Sequence, residues 1–288
     1  MGLEDLRERL NFVRSLPLET TSISDIQKLI GEVILGHSRT LYYLDLEMLM
    51  RARKNRGKKT FRNIKSLGCP NWKSIDPKNW VYCRCNDKGE KMFYAAGETD
   101  TSIIETKPKK GEHITLTMFK SKNETSRASV QVIGGTKLRL NDQRFGKIIK
   151  EDVNNYNNLD KELKAKNELV NNFLEEQFML DVPKSESWKY KISIAITKIL
   201  LTGEGIHGLV FPSIAMKHKG VNLILKPEFT DNHFQIAGRS VVEIKEVTTQ
   251  YIDVKHVFSP LNKKNKAPEI IKWRLPYPEE NEEYRIEI

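Results

Sequence analysis

Side chains that bind anions, stabilise charge or donate hydrogen bonds recur in five short elements of the sequence. These elements are Arg51-Ala52-Arg53, Arg84-Cys85-Asn86, Phe93-Tyr94-Ala95-Ala96, Glu105, and Phe211-Pro212-Ser213 followed by Gly220-Val221-Asn222. A guanidinium binds phosphate oxygens through paired N–H donors, and lysine does not offer that geometry. A carboxylate stabilises positive charge that develops in a transition state. Each residue also has an ordinary structural interpretation: surface arginines and glutamates, a turn serine and a core tyrosine.

Other catalytic and metal-binding patterns are missing from the sequence. It has no G-x-x-x-x-G-K-[ST], H-E-x-x-H or G-x-S-x-G element, which argues against a P-loop NTPase, a zincin and an α/β-hydrolase. Its three cysteines, Cys69, Cys83 and Cys85, are too few for a disulfide framework and lack a second Cys/His pair at zinc spacing. We therefore expect reduced thiols, a cytoplasmic protein and no metal site. The sequence shows no secretory signal and no apolar run near the roughly 20 residues of a membrane span.

The charge of the chain is basic and partly clustered. The 48 Lys and Arg residues exceed the 38 Asp and Glu residues by 10, and eight of the fifteen residues from 51 to 65 are Lys or Arg. Such a balance suits nucleic acid, an acidic membrane or a phosphorylated small molecule, whereas a charged run is also typical of a solvated loop. Phe61 is the only aromatic residue of that run, which offers little for stacking bases.

In their order, the five elements resemble the RES domain family, which is named for its arginine, glutamate and serine. The family has a Y-R-x-R element, a G-R-F-N element, a strand ending in Y-L-A or Y-A-A, a glutamate in the next helix, and a D-G-L-x-Y-P-S strand followed by a glycine and an N-L strand. The counterparts here read LMRAR, CRCN, MFYAA, TDTSIIE, HGLVFPS and GVNLIL. The resemblance spans residues 49–226. It implies an α+β fold like that of ADP-ribosyltransferases, with split mixed and antiparallel sheets surrounded by helices.

Members of this family consume NAD, and many are toxins of toxin–antitoxin pairs that deplete NAD by glycohydrolysis or phosphorolysis. The resemblance therefore implies an enzyme with NAD as its substrate and no bound cofactor. A cognate antitoxin or a second copy of the chain is the expected protein partner, and no membrane is expected. Two alternatives stay open. Some members are reported to transfer ADP-ribose to protein, and the basic run at 51–65 could bind nucleic acid, although we do not favour the latter.

The resemblance also assigns roles to residues. The expected catalytic residues are Glu105, Arg84, Tyr94 and Ser213. The expected NAD-binding residues are Arg51, Arg53, Arg84, Tyr94, Asn86, Ser213 and Asn222. Either Arg51 or Arg53 could correspond to the first arginine of the family's motif, and Arg51 is the better fit. If their strand is extended, both lie on one face and Ala52 lies on the other.

Hydrophobic spacing predicts the elements that carry these residues. Apolar residues at helical spacing predict two N-terminal helices, the second with a capping box at Ser24 and Gln27. Further helices are expected around Glu105, over 159–180 and from residue 192. Alternation predicts a half-buried strand over 113–120, and apolar runs predict strands at 92–96, 208–211, 222–225, 234–247 and 251–258. We expect a helical lead-in over 1–40, a RES-like catalytic domain over 41–260 and a peripheral tail over 261–288.

Overall fold

The computed structural model describes residues 1–35, 41–69, 76–135, 160–261 and 270–288. Its contacts divide the chain into two compact units, each assembled from separate segments. Unit 1 comprises Met1–Leu44, Trp72–Met92 and Ala128–Pro212, and unit 2 comprises Asp45–Asn71, Phe93–Arg127 and Ser213–Ile288. The boundary expected at residue 40 lies outside the described residues, and the division into lead-in, catalytic domain and tail stays a prediction.

Helices dominate unit 1. They are α1 (Leu3–Arg14), α2 (Ile23–Leu35), α4 (Lys161–Phe178) and α5 (Lys191–Leu200), whereas α3 (Thr99–Glu105) belongs to unit 2. The apolar stripe of α1 is buried as its spacing predicts, at Leu6, Leu10 and Val13. The residue that caps α2 is Ser22 and not Ser24. The Ser22 hydroxyl accepts from the backbone N–H of Asp25 at 3.1 Å and donates to the Asp25 carboxylate at 2.6 Å, so the helix begins earlier than expected.

Three strands lie wholly or mainly in unit 1. They are β1 (Leu41–Leu46), β5 (Ser126–Val132) and β6 (Gly208–Pro212). β1 lies beside β5, and β5 pairs in parallel with β6 from Val130↔Gly208 to Val132↔Val210. The connection from α5 into β6 carries glycines at 203, 205 and 208, a spacing that dinucleotide-binding loops share. Because this connection runs from a helix to a strand, it has the reverse order of such a loop.

Unit 2 contains a long antiparallel sheet. Its strands are β2 (Met48–Lys54), β3 (Phe93–Ala96), β4 (His113–Ser121), β7 (Val221–Leu225), β8 (Phe234–Val247), β9 (Tyr251–Pro260), β10 (Trp273–Arg274) and β11 (Glu283–Glu287). They follow the order β7-β3-β2-β4-β8-β9-β10, with β11 also paired to β9. Helices α3 (Thr99–Glu105) and α6 (Pro227–His233) connect strands of this unit. The described chain is therefore mixed α+β, as the sequence predicts.

The core of unit 2 lies between α3 and one face of this sheet. Its cluster includes Ile103 and Ile104 of α3, Ile114 of β4, Val254 of β9 and Ile286 of β11. Within the segment predicted to be a peripheral tail, Ile286 is only 1% exposed, and its strand β11 pairs with β9. The half-buried strand expected at 113–120 is instead buried along nearly its whole length, because both of its faces are covered.

Candidate active site

Glu105 ends the helix α3, which holds it at the border of the unit 2 core. Ile103 and Ile104, immediately before it, are 0% and 4% exposed and anchor the helix in the core cluster. The hydroxyl of Ser102 donates to the carbonyl of Thr99 at 2.7 Å within the first turn. Glu105 itself is partly exposed. The helix therefore fixes the backbone of a carboxylate that solvent can still reach.

Two side chains hold one oxygen of that carboxylate. The Ser213 hydroxyl donates to Oε1 of Glu105 at 2.5 Å, and the amide Nδ2 of Asn222 donates to the same oxygen at 2.6 Å. Both are short, as hydrogen bonds to an ionised acceptor are. No described residue makes a hydrogen bond to the other oxygen, Oε2. Glu105 thus has one oxygen oriented by two donors and one that no described residue holds by a hydrogen bond.

The loop from Ser213 to Gly220 brings the two donors together. The backbone N–H of Ser213 donates to the carbonyl of Gly220 at 2.8 Å, which closes the loop two residues before Asn222. The Ser213 hydroxyl also accepts from the N–H of Met216 at 3.1 Å. Ser213 is 0% exposed, so its only proton is committed to Glu105 inside the protein.

Gly220 allows this loop to lie directly against α3. A Cβ at residue 220 would be 2.3 Å from Oγ1 and 2.9 Å from Cγ2 of Thr101. Thr101 is four residues before Glu105 and therefore on the same side of the helix. The close approach of Gly220 to Thr101 sets the distance between α3 and the strand β7 that carries Asn222.

Tyr94 shares a sheet face with Asn222. Ala96 pairs directly with Met50 of β2 and with Asn222 of β7, and directly paired residues of antiparallel strands point to the same side. Tyr94 is two residues before Ala96 and pairs with Ile224, so it points to that side as well. Its side chain is partly exposed. The phenol therefore lies on the face from which Asn222 reaches Glu105.

Arg51 and Arg53 lie on the opposite face of this sheet. They alternate with Met50 along β2, so their side chains point away from the face of Met50 and Asn222. Arg51 is 7% exposed, donates from a guanidinium nitrogen to the carbonyl of Tyr94 and stacks 5.3 Å from the centre of the Phe93 ring. The two arginines are together, as the sequence predicts, but the structure does not bring them to the side chain of Glu105.

Arg53 is held by the loop that follows β2. Its guanidinium donates to the carbonyl of Ser66 and lies 5.2 Å from the ring centre of Phe61. Burial lowers the pKa of Arg53, while the nearby thiol of Cys69 opposes that change. The desolvation of this cation indicates that it is not an ordinary solvated surface arginine.

Arg84 belongs to unit 1 and has its own surroundings there. Cys83 and Asn86 form a short antiparallel bridge, and Arg84 lies at the turn between them. Its guanidinium is 5.7 Å from the ring centre of Tyr190 and 5.6 Å from that of Phe211. It also donates to the carbonyl of Leu180 at 3.0 Å. Arg84 is partly exposed and stacked between two rings, so part of its charge is already engaged within unit 1.

Asn86 has a structural role in that turn. It is 2% exposed, and its Nδ2 donates to the carbonyls of Asp87 at 3.0 Å and Glu90 at 3.2 Å. These bonds satisfy a buried amide and stabilise the chain after the bridge. Both Arg84 and Asn86 keep their NAD-binding role as a prediction.

Thr101 was not among the residues predicted for the site, although its position one helical turn before Glu105 marked it. Gly220 belongs to the predicted Gly220-Val221-Asn222 element, but its close approach to Thr101 could not be read from the sequence. Arg239 of β8 was not predicted either; it pairs with Thr117 of β4 on the face that carries Arg51. No local motif marks Arg239, because only strand pairing brings it near the other arginines.

The described residues contain no cluster of three or more His, Cys, Asp or Glu side chains with the geometry of a metal site. Over the same parts of the chain, no helix is both long enough and apolar enough to cross a membrane. The chain matches no model of a known protein family, and it matches no curated protein.

Proposed function

We propose that this chain is an NAD-consuming enzyme that cleaves the bond between nicotinamide and ribose. The observation that supports this most directly is the carboxylate of Glu105, held through Oε1 by Ser213 and Asn222, while no described residue makes a hydrogen bond to Oε2. The resemblance to RES domains, drawn from the order of the same residues, supports the same chemistry. The side chains that meet at Glu105 come from two distant parts of the sequence, around residue 105 and from 213 to 222.

The charge of the reaction suits an oriented carboxylate. When the bond from the ribose C1′ to the nicotinamide nitrogen breaks, both electrons go to that nitrogen, and the cationic ring leaves as neutral nicotinamide. No general acid is needed. The positive charge remains on the sugar, as in the oxocarbenium-like transition state of glycoside hydrolysis. Oε2 of Glu105 would stabilise that charge and orient the acceptor, which adds an oxygen to C1′ and loses a proton.

The other residues take roles that follow from their contacts. Ser213 and Asn222 are positioning residues, because their donors are directed to Glu105. Tyr94, on the same face, offers a ring to nicotinamide and a hydroxyl to the ribose. The proposed roles of Arg84, Arg51 and Arg53 in holding the pyrophosphate, and of Asn86 in binding NAD, rest on the resemblance alone.

The experiment follows nicotinamide release from NAD by the purified full chain, with and without inorganic phosphate. Water as the acceptor gives ADP-ribose, phosphate gives a phosphorylated ADP-ribose, and labelled protein would indicate transfer to protein. Glu105→Gln keeps an oxygen for the Ser213 and Asn222 bonds but replaces Oε2 with a neutral amide. We expect it to lower turnover at least 100-fold.

Glu98→Gln is the matched control, since this exposed glutamate lies at the other end of α3 and makes no capping bond with its side chain. It should retain turnover. Intact NAD under both conditions, with a folded wild-type chain, would refute the proposal. As a toxin, the chain should arrest growth of cells that express it, and Glu105→Gln should relieve that arrest.

A further inference from the structure

A cavity of about 420 Å³ lies between three helices of unit 1. Most of the described residues that line it belong to α1, α2 and α4. Pockets that hold small ligands have volumes of about 300–1,000 Å³, and the space between helices of a bundle is a common place for them. The lining residues of α4 follow the i, i+3, i+4, i+7 spacing of one helical face: Leu163, Lys166, Asn167 and Val170.

The walls of the cavity are mainly apolar. Leu6 of α1, Val33 of α2 and Val170 of α4 line it, and each is only 3% exposed. Leu10 and Phe173, one turn further along α1 and α4, are 0% exposed and do not line the cavity. The three helices therefore pack closely beyond the cavity, and the apolar part of a ligand would contact its aliphatic walls.

Arg9 of α1 brings a cation to the cavity. Its Nε donates to the carbonyl of Leu29 at 2.9 Å, and its Nη1 pairs with Glu32 at 3.0 Å. Both partners belong to α2, so they fix the guanidinium between the two helices. Its other terminal nitrogen, Nη2, makes no hydrogen bond to any residue that the structure describes. The side chain of Glu32 is mostly exposed, so solvent weakens its pull on the guanidinium.

Two polar residues of α4 line the cavity beside its apolar walls. Asn167 is 2% exposed, and its amide is a hydrogen-bond donor inside the helical face. Lys166 pairs at 2.6 Å with Glu162, whose side chain is mostly exposed and does not line the cavity. The described lining thus carries two cations, Arg9 and Lys166, against one carboxylate, Glu32. This balance favours a ligand with a single negative charge.

We propose that this cavity binds a small amphiphile that has a carboxylate head and an apolar body, as a medium-chain fatty acid has. The carboxylate would accept N–H bonds from Arg9 and Asn167, and Lys166 would add a second positive charge. The apolar body would lie against the aliphatic walls and leave water, which stabilises the complex. The cavity belongs to unit 1 and Glu105 to unit 2, so the proposal does not depend on the proposed cleavage of NAD.

Calorimetric titration of the full chain with octanoate, below the concentration at which octanoate forms micelles, tests the site. Acetate supplies the head without the body, and 1-octanol and octylammonium supply the body with a neutral or a positive head. We expect saturable binding of octanoate, at least tenfold weaker binding of 1-octanol and octylammonium, and none of acetate.

Arg9→Gln should weaken the binding of octanoate about tenfold, since it removes a charged hydrogen-bond donor. Arg7→Gln is the matched control, because Arg7 lies on the same helix, is paired with Glu4 and does not line the cavity. It should bind octanoate as the wild type does. Asn167→Leu, which nearly keeps the volume of the side chain, should reduce the preference for octanoate over 1-octanol several-fold, and it guards against misfolding of the first variant.

Three results would overturn the proposal. The first is no saturable binding of octanoate by the folded wild type. The second is an affinity for 1-octanol or octylammonium that equals the affinity for octanoate, because the cavity would then not recognise a carboxylate. The third is equal affinity for octanoate in Arg9→Gln and Arg7→Gln, with the preference for octanoate unchanged in Asn167→Leu, because the binding would then lie elsewhere.

Discussion

Replacing Gly220 with alanine tests how closely α3 must approach the loop that begins at Ser213. The new Cβ would be 2.3 Å from Oγ1 of Thr101, about 1 Å inside ordinary contact, and both groups belong to backbone or to a short, buried side chain. Neither can swing away, so the loop or the helix must shift. Overpacking of this kind costs about 1–3 kcal/mol, which corresponds to a fall in Tm of about 2–8 °C.

Thr101→Ala should partly reverse that loss. It removes Oγ1 and Cγ2, the two closest atoms, and leaves a Cβ at 3.1 Å from the new methyl group. The hydroxyl of Thr101 has no hydrogen-bond partner in the described structure, so its removal alone should be mild. We therefore expect the double variant to be more stable than the sum of the single changes by about 1–2 kcal/mol.

Urea denaturation of the wild type, both single variants and the double variant measures this coupling. Gly31→Ala is the control, because a Cβ there meets nothing within 4 Å and lies in the helix α2; it should be neutral or slightly stabilising. If the enzyme proposal holds, Gly220→Ala should also lower turnover, since it displaces Glu105, and Thr101→Ala should recover part of it. If the two substitutions change the free energy of unfolding additively, the steric reasoning is refuted, whatever their effect on turnover.

Two further predictions concern charged side chains. Arg84→Ala should lower the free energy of unfolding by about 1–3 kcal/mol, because the guanidinium leaves the rings of Tyr190 and Phe211 and its carbonyl partner; an unchanged urea midpoint would contradict this. The hydrogen bond from Arg274 lowers the pKa of Glu280 to about 2, so its ionised form stabilises the fold above about pH 4 and that contribution is lost as the pH falls towards 2. The difference in Tm between wild type and Glu280→Gln should therefore shrink over that interval, and a constant difference would argue against the pairing.

The sequence predicted most of the elements because each is encoded locally. The apolar spacing at Leu6, Leu10 and Val13 gives α1 whatever the rest of the chain does. The short apolar run at 93–96 likewise gives a strand. Local signals were less reliable at helix ends, where Ser22 and Ser24 offer the same hydroxyl and only the backbone path selects the cap.

Contacts between distant residues were less predictable. The bond from Ser213 to Glu105 joins residues 108 apart, and only the order of the motifs suggested that they meet. The face of Arg51 depends on register, because a slip of one residue moves every side chain of a strand to the other side. The pairing of Met50 with Ala96 decides it, and no pattern within β2 reveals that pairing. The position of Arg239 opposite Thr117 was not predicted for the same reason.

The way the segments of the two units alternate along the chain has a consequence for biosynthesis. Ile286, in β11, completes a cluster whose other members include Ile103 and Ile114. When the ribosome has synthesised the helix that ends at Glu105, it has not yet synthesised β11, the strand that completes the hydrophobic cluster around that helix. The apolar side chains of this cluster therefore stay incompletely packed until β11 is synthesised. Exposed apolar surface of this kind is what chaperones bind on nascent chains.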